Sequence, residues 1–283
     1  VGNYLLTHLS EPKTHFFISS GGNAGLACAH AAAVLGAPAT IVVPMSCSAY
    51  MIAKLRAAGA QDVVQFGASW VEADGHLRDE IMPRAAQRGE VPVYVPPFDA
   101  LEVWEGHSTL VGEVLEQLGG APDAVVCSVG GGGLFSGIMM GLEAAGLPEL
   151  KVLAVETEGA DSLALSLREG KLATLPAITS IATSLGARTV ARRAFEFGQR
   201  ESVKSVVLGD HEAMEGCVRF ADDERIMVEP ACGVSMALVY GGRLKKVLPE
   251  LTEESKVVIV VCGGSNISVD ALHKFAAQLE QQP

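Results

Sequence analysis

The chain has no Cys-x-x-Cys pair, no His-Glu-x-x-His, no His/Cys zinc spacing and no EF-hand loop, so no recognised zinc or calcium motif is present. Its six cysteines stand apart, at positions 28, 47, 127, 217, 232 and 262. Several fall in apolar or Ala/Gly-rich runs, where a free thiol behaves as a small buried hydrophobe. That pattern predicts a disulfide-free, cytoplasmic protein. Long apolar runs are missing too. The longest, such as KVVIVVCGG, are strand-sized against the ~18 residues of a membrane span, and the opening VGNYLL carries no secretory pattern. Positive charge is scarce: 21 Lys and Arg face 33 Asp and Glu, a net charge of −12 with no basic stripe. Nucleic-acid binding by phosphate neutralisation is therefore not expected. Low-complexity tracts and fixed-period repeats are absent as well.

What is present is an alternation. Apolar runs at 15–19, 39–44, 62–66, 91–95, 124–129, 151–156, 205–208 and 256–262 are each followed by helical sequence. Continuous apolar strands between helices imply parallel sheets covered on both faces, an α/β protein. The 283 residues suffice for one large or two ordinary domains, and Pro96-Pro97 after the fourth unit marks a domain crossing. The expected organisation is a smaller α/β domain over 1–98 and a larger one over 99–283, each with a mostly parallel sheet flanked by helices.

Three Gly-rich loops follow strands at the carboxyl end, where open parallel sheets bind ligands. In ISSGGNAGLACAHAAAVLG (18–36), Ser19 or Ser20 is expected to cap the next helix, and the loop can offer N–H groups to an anion. An ordinary strand-to-helix turn accounts for SGGN equally well. In CSVGGGGLFSG (127–137), four successive glycines are more than a tight turn needs, and they suit a backbone wrapped around an anion at a helix N-terminus. The P-loop spacing is absent. A GxGxxG-like spacing is met trivially by the glycine run, and Glu156 stands 24 residues beyond Gly132, so dinucleotide binding stays open on this loop alone. The third loop is VVCGGSNIS (260–268), where Cys262 reads by itself as a buried thiol. Together the three loops outline one anion-binding cleft between two α/β domains.

The motifs SSGGNAG, SVGGGGLFSG, DDERIMVEPACG and VVCGGSNIS, with PPFDALEVWEGHSTLVGEV (96–114), resemble the catabolic L-serine/L-threonine dehydratases. These are pyridoxal-phosphate enzymes of fold type II, the tryptophan-synthase-β group, with the cofactor in the cleft between two domains. The resemblance implies that Gly130, Gly131, Gly132, Gly133 and Leu134 hold the cofactor phosphate and that Asn23 bonds its phenolic oxygen. It places Ser20, Gly21, Asn23 and Ala24 around the substrate α-carboxylate, Cys262 opposite the pyridine nitrogen, and Ser184 on the other face of the ring, where a small apolar residue is expected. It further implies a monovalent cation (potassium) at Glu156 and the backbone oxygens of Ala160 and Leu185, although a Glu ending a strand is also an ordinary helix cap. A homodimer acting on a small amino acid follows from the same resemblance.

One family feature is not in view. The Schiff-base lysine belongs to an S-F-K-x-R-G segment ahead of the SSxGNAG loop, and it is expected upstream of Val1. Of the nine lysines, Lys13, Lys54, Lys245 and Lys246 all read better as solvated surface charge. Two alternatives stay open: a lysine-less paralogue that binds cofactor or amino acid without turnover, and a β-replacement synthase.

Overall fold

The computed structural model describes residues 1–10 and 12–281, and the chain divides into two compact units, Val1–Gly106 and His107–Pro283. The first unit opens with α1 (Gly2–His8) and then alternates strands with helical segments. Its elements are β1 (Thr14–Ile18), α2 (Asn23–Val34), β2 (Ala39–Val43), α3 (Ala49–Ala57), β3 (Asp62–Gln65), α4 (Trp70–His76), α5 (Met82–Gln87) and β4 (Val91–Tyr94). The sheet is parallel in the order β3-β2-β1-β4, with Phe17 level with Thr40 on one side and Tyr94 on the other. All five residues of β1 are buried. Its side chains alternate between two cores, as the strand period of two requires. Phe16 and Ile18 join Leu5, Cys28, Ala32 and Leu55 on one face, while Phe17 joins Val42, Ala73, Leu77 and Ala85 on the other.

One helix is expected over 69–88, but the structure interrupts it. After α4 the backbone widens into a π-helical turn at Leu77–Ile81 before α5 restarts, with Pro83 in the first turn of α5. Proline brings no N–H, and its ring crowds the carbonyl four residues back, so the preceding turn loosens.

Helix α6 (Leu101–Leu118) leads into the second unit. There follow β5 (Ala124–Ser128), α7 (Gly133–Ala144), β6 (Lys151–Thr157), α8 (Ser162–Glu169), α9 (Arg192–Gly198), β7 (Val203–Leu208), α10 (Asp210–Glu224), α11 (Pro230–Ala237), α12 (Arg243–Val247), β8 (Val257–Ile259) and α13 (Val269–Gln281). This sheet is also parallel, in the order β7-β6-β5-β8. Val126, Leu153 and Val155 pack with Ala213, Val234 and Leu238 in one core. Helices α10 and α11 cross closely because both carry glycine at the contact. A Cβ on Gly216 would lie 1.9 Å from the Gly233 oxygen. No helix among the described residues is long and apolar enough to cross a membrane.

Candidate active site

The phosphate-loop candidate follows β5. Val129 is still tied to the sheet through its N–H to the Val155 oxygen (2.8 Å), and the first bond of α7 runs from the Ser136 N–H to the Gly132 oxygen (2.8 Å). Between them lie the N–H groups of Gly130 to Leu134. Among the described residues none of these five donates to a protein acceptor, as expected where a loop enters a helix N-terminus. Side chains are kept out by geometry. A Cβ on Gly130 would lie 2.9 Å from Leu185 Cα, and one on Gly132, whose φ is +90°, would lie 2.4 Å from Ala194 Cβ. The result is a bare-backbone cup with helix-dipole positive charge, fit for a phosphate dianion.

The neighbouring segments converge on the cup. The Ser184–Leu185 backbone packs directly against Gly130, with the Ser184 oxygen 3.2 Å from where a Cβ would stand. Cys262 sits at the adjacent strand end but not on the strand. The apolar run predicts a strand over 256–262, whereas β8 covers only Val257–Ile259. This edge strand pairs with β5 alone, and its last tie is the Val260 N–H to the Val126 oxygen (2.9 Å). Cys262 then lies in an exposed loop, followed by two glycines at positive φ. Its expected burial as a core thiol is not found. Cys28, Cys127, Cys217 and Cys232 are buried as expected, and all six thiols are free.

Glu156 lies fully buried in β6. Both its carboxylate oxygens accept N–H bonds from the first turn of α8, Leu163 and Ala164, each at 2.8 Å. Burial nevertheless pushes this carboxyl up to about 8, against the pull of the two N–H groups, with Asp161 adding to the rise. Beside it, the Ser162 hydroxyl is buried with no partner. Ala160 is buried in the same core as Leu185, whose oxygen also accepts the Ala187 N–H at 2.7 Å. A desolvated carboxyl and an orphaned hydroxyl at the start of one helix have the chemistry that suits a monovalent cation.

In the first unit, the SSGGNAG loop differs from expectation at the helix start. The N-cap of α2 is Gly22, and neither Ser19 nor Ser20 caps it. Instead the Ser20 hydroxyl accepts the Gly22 N–H at 3.3 Å, closing a local serine turn that competes with capping. Gly25 is fixed by crowding, since a Cβ there would lie 2.0 Å from the Ser20 oxygen. Gly21 faces the Cys47 sulfur, 2.9 Å from its would-be Cβ. Asn23 and Ala24 open α2, so Ser20, Gly21, Asn23 and Ala24 share one loop and one helix N-terminus.

Two residues escape sequence reasoning. The Trp70 indole N–H donates to the Ser19 oxygen at 2.7 Å, bracing the SSGGNAG loop from 51 positions away. Glu229 braces the Cys262 loop in a similar manner. Its N–H donates to the Gly263 oxygen, and its carboxylate accepts the Asn266 N–H, both at 2.8 Å. The Glu-Pro pair at 229–230, a helix start with proline at N1, was the available signal for the second.

The family model for pyridoxal-phosphate dependent enzymes matches residues 2–263. The chain belongs to that family. It is 44% identical over 276 residues to an L-serine dehydratase of Saccharomyces cerevisiae, covering 94% of this chain and 81% of the yeast protein. It is 41% identical over 285 residues to the human L-serine dehydratase/L-threonine deaminase, with 99% and 84% covered. The crystal structure of a fungal L-serine ammonia-lyase from Rhizomucor miehei superimposes with a TM-score of 0.88 at 31% identity, over 98% of this chain and 87% of that one. The two parallel four-stranded sheets are thus those of fold type II, as the resemblance implied. Pyridoxal phosphate is the cofactor of the family, and its phosphate fits the cup at Gly130–Leu134.

Proposed function

We propose that this protein deaminates L-serine, L-threonine or both with pyridoxal phosphate, giving pyruvate or 2-oxobutanoate plus ammonia. The observation that carries this reading is the 44% identity, over 94% of the chain, to a protein named L-serine dehydratase. The five unused N–H groups after β5 support it. They would hold the cofactor phosphate, and Asn23 would bond its phenolic oxygen. Ser20, Gly21, Asn23 and Ala24 receive the substrate carboxylate at the start of α2. Ser184 and Cys262 would attend the ring, Cys262 on the side of its nitrogen.

When bound, the cofactor supplies an electron sink that acidifies the substrate Cα and lets the β-hydroxyl depart. Cys262 limits that sink. A neutral thiol does not stabilise a ring pyridinium as a carboxylate would, so the site favours elimination over a long-lived carbanion. Loss of water leaves an enamine, which after release tautomerises and hydrolyses to the keto acid and ammonia. The family takes the Cα proton with a lysine. Five of the nine lysines are engaged elsewhere: Lys54 over the Tyr50 ring, Lys151 with Glu250, Lys204 on the Val247 oxygen, Lys245 on the Leu251 oxygen and Lys274 with Asp270. Potassium at Glu156 and the carbonyls of Ala160 and Leu185 would neutralise the buried carboxylate beside the cup. The reading takes the protein as a cytoplasmic homodimer.

Keto-acid formation from each amino acid, coupled to lactate dehydrogenase, tests the activity. Product that depends on added pyridoxal phosphate is expected. A protein that takes up the cofactor, seen in its visible absorbance, yet forms neither keto acid would instead be a binding protein without turnover. Consumption of serine only with an added nucleophile would make it a β-replacement synthase.

A further inference from the structure

The loop that presents Cys262 is short of support from its own sheet, because β8 ends three residues earlier at Ile259. Gly263 and Gly264 follow at φ +73° and +91°, a stretch with little conformational preference of its own. Its shape is imposed by the start of α11. Glu229, only 3% exposed, is the N-cap of that helix. Its N–H donates to the Gly263 oxygen, and one carboxylate oxygen accepts the Asn266 N–H. The carboxyl fills the space that a side chain at Gly264 would need, since a Cβ there would lie 2.1 Å from Glu229 Cδ. One turn along, Cys232 is itself buried in the same helix, with its N–H donating back to the Glu229 oxygen at 2.8 Å. The far side of the loop is tied by the Asn266 side chain, which donates to the Thr183 hydroxyl at 3.0 Å, one residue before Ser184.

We propose that Glu229 is a positioning residue for Cys262: its carboxylate pins the loop that carries the thiol and stands beside it as a fixed negative charge. The inference deepens the deaminase reading and rests on it for the role of Cys262 opposite the ring nitrogen. The groups facing Cys262 are Cys127 from β5 and Cys232 and Glu229 from α11. No positive side chain acts on it among the described residues. The sulfur is partly removed from water, and Cys232 and Glu229 add to that effect, so the thiol is raised to about 11. A carboxylate fixed nearby disfavours a second negative charge. The same carboxylate acts on Cys217, whose thiol lies at about 12, chiefly through burial. A thiolate at position 262 would reverse the logic of the site by favouring protonation of the ring nitrogen.

The test is the pH dependence of Cys262 alkylation by iodoacetamide, followed by peptide mass spectrometry in protein without added cofactor. Only the thiolate reacts, so the midpoint reports its formation. In Glu229→Gln the midpoint is expected to fall, giving about tenfold faster alkylation at moderately alkaline pH, the size of a one-unit change. Glu229→Asp keeps the charge and should stay near wild type. Loosening of the loop alone would raise the rate at every pH without moving the midpoint. If Glu229→Gln does not fold, Gly264→Ala displaces the same carboxylate from outside and should move the midpoint in the same direction. A wild-type midpoint in the folded variant overturns the proposal. Keto-acid formation with an unmoved midpoint would remove the clamp and leave the deaminase. A shifted midpoint without keto acid would remove the deaminase and leave the clamp.

Discussion

Replacing Gly132 by alanine separates two costs that the glycine cup avoids. Gly132 sits at φ +90°, ψ 4° as the N-cap of α7. The backbone conformation alone costs an L-residue about 1–2 kcal/mol. The added methyl would also stand 2.4 Å from Ala194 Cβ and 3.1 Å from Val190 Cγ2. Ala194 lies in α9 and is fully buried, so it has little room to yield. Overpacking of that kind costs about 1–3 kcal/mol, for a total of about 2–5 kcal/mol. Gly170 provides the control within the same unit, because it has φ +66° and nothing within 4 Å of a Cβ. Gly170→Ala should therefore show the backbone cost alone. Urea unfolding of the three proteins measures the difference, which is the overlap term. Movement of the cup also disturbs N–H donors to a charged phosphate, each worth about 1.5–3 kcal/mol. Cofactor affinity in Gly132→Ala should then drop about tenfold or more, with Gly170→Ala unchanged. If Gly132→Ala matches Gly170→Ala in both unfolding and cofactor titration, the cup does not have the tight backing described.

Three further outcomes are expected. His15 is buried between Glu90 (2.6 Å) and Thr40 (2.9 Å), and burial holds its imidazole below the usual range despite the opposing Glu90. The unfolded chain then binds the extra proton first as pH falls, so stability should begin to drop as pH falls through the ordinary imidazole range of about 6.5, and chemical unfolding of His15→Gln should show a flatter profile. Glu90 is itself held low, chiefly by Arg88, so its contribution is lost only under more acid conditions. Trp70→Phe removes the indole N–H from the Ser19 oxygen, worth about 0.5–1.5 kcal/mol; a rise of about 2- to 10-fold in KM for serine with kcat little changed is expected in steady-state assays. Glu156→Gln offers one acceptor to two helix N–H groups, so it should cost about 1–3 kcal/mol in unfolding experiments and abolish any activation by potassium.

The parts legible in the sequence are those whose physics is local. The buried strands β1, β2, β5 and β6 betray themselves as unbroken apolar runs because helices cover both faces of a parallel sheet. The glycine loops are legible because only glycine tolerates the cup. Ser20 is misread as a cap because a serine can close its own turn as readily as cap a helix, and the choice depends on where the helix begins. Strand β8 is overestimated because VVIVV describes apolarity and not neighbours, and an edge strand with one partner frays where the pairing stops. The bracing roles of Trp70 and Glu229 are hidden for a deeper reason: each acts on a loop dozens of residues away in sequence, and the Glu-Pro pair marks only a helix start. Catalytic loops rich in glycine have given up their own rigidity to let backbone approach the ligand. Their shape must therefore be supplied from outside, by a residue the motif does not contain. The place to look for such a residue is a buried polar side chain at a neighbouring helix end, and the Glu-Pro start of α11 has that form.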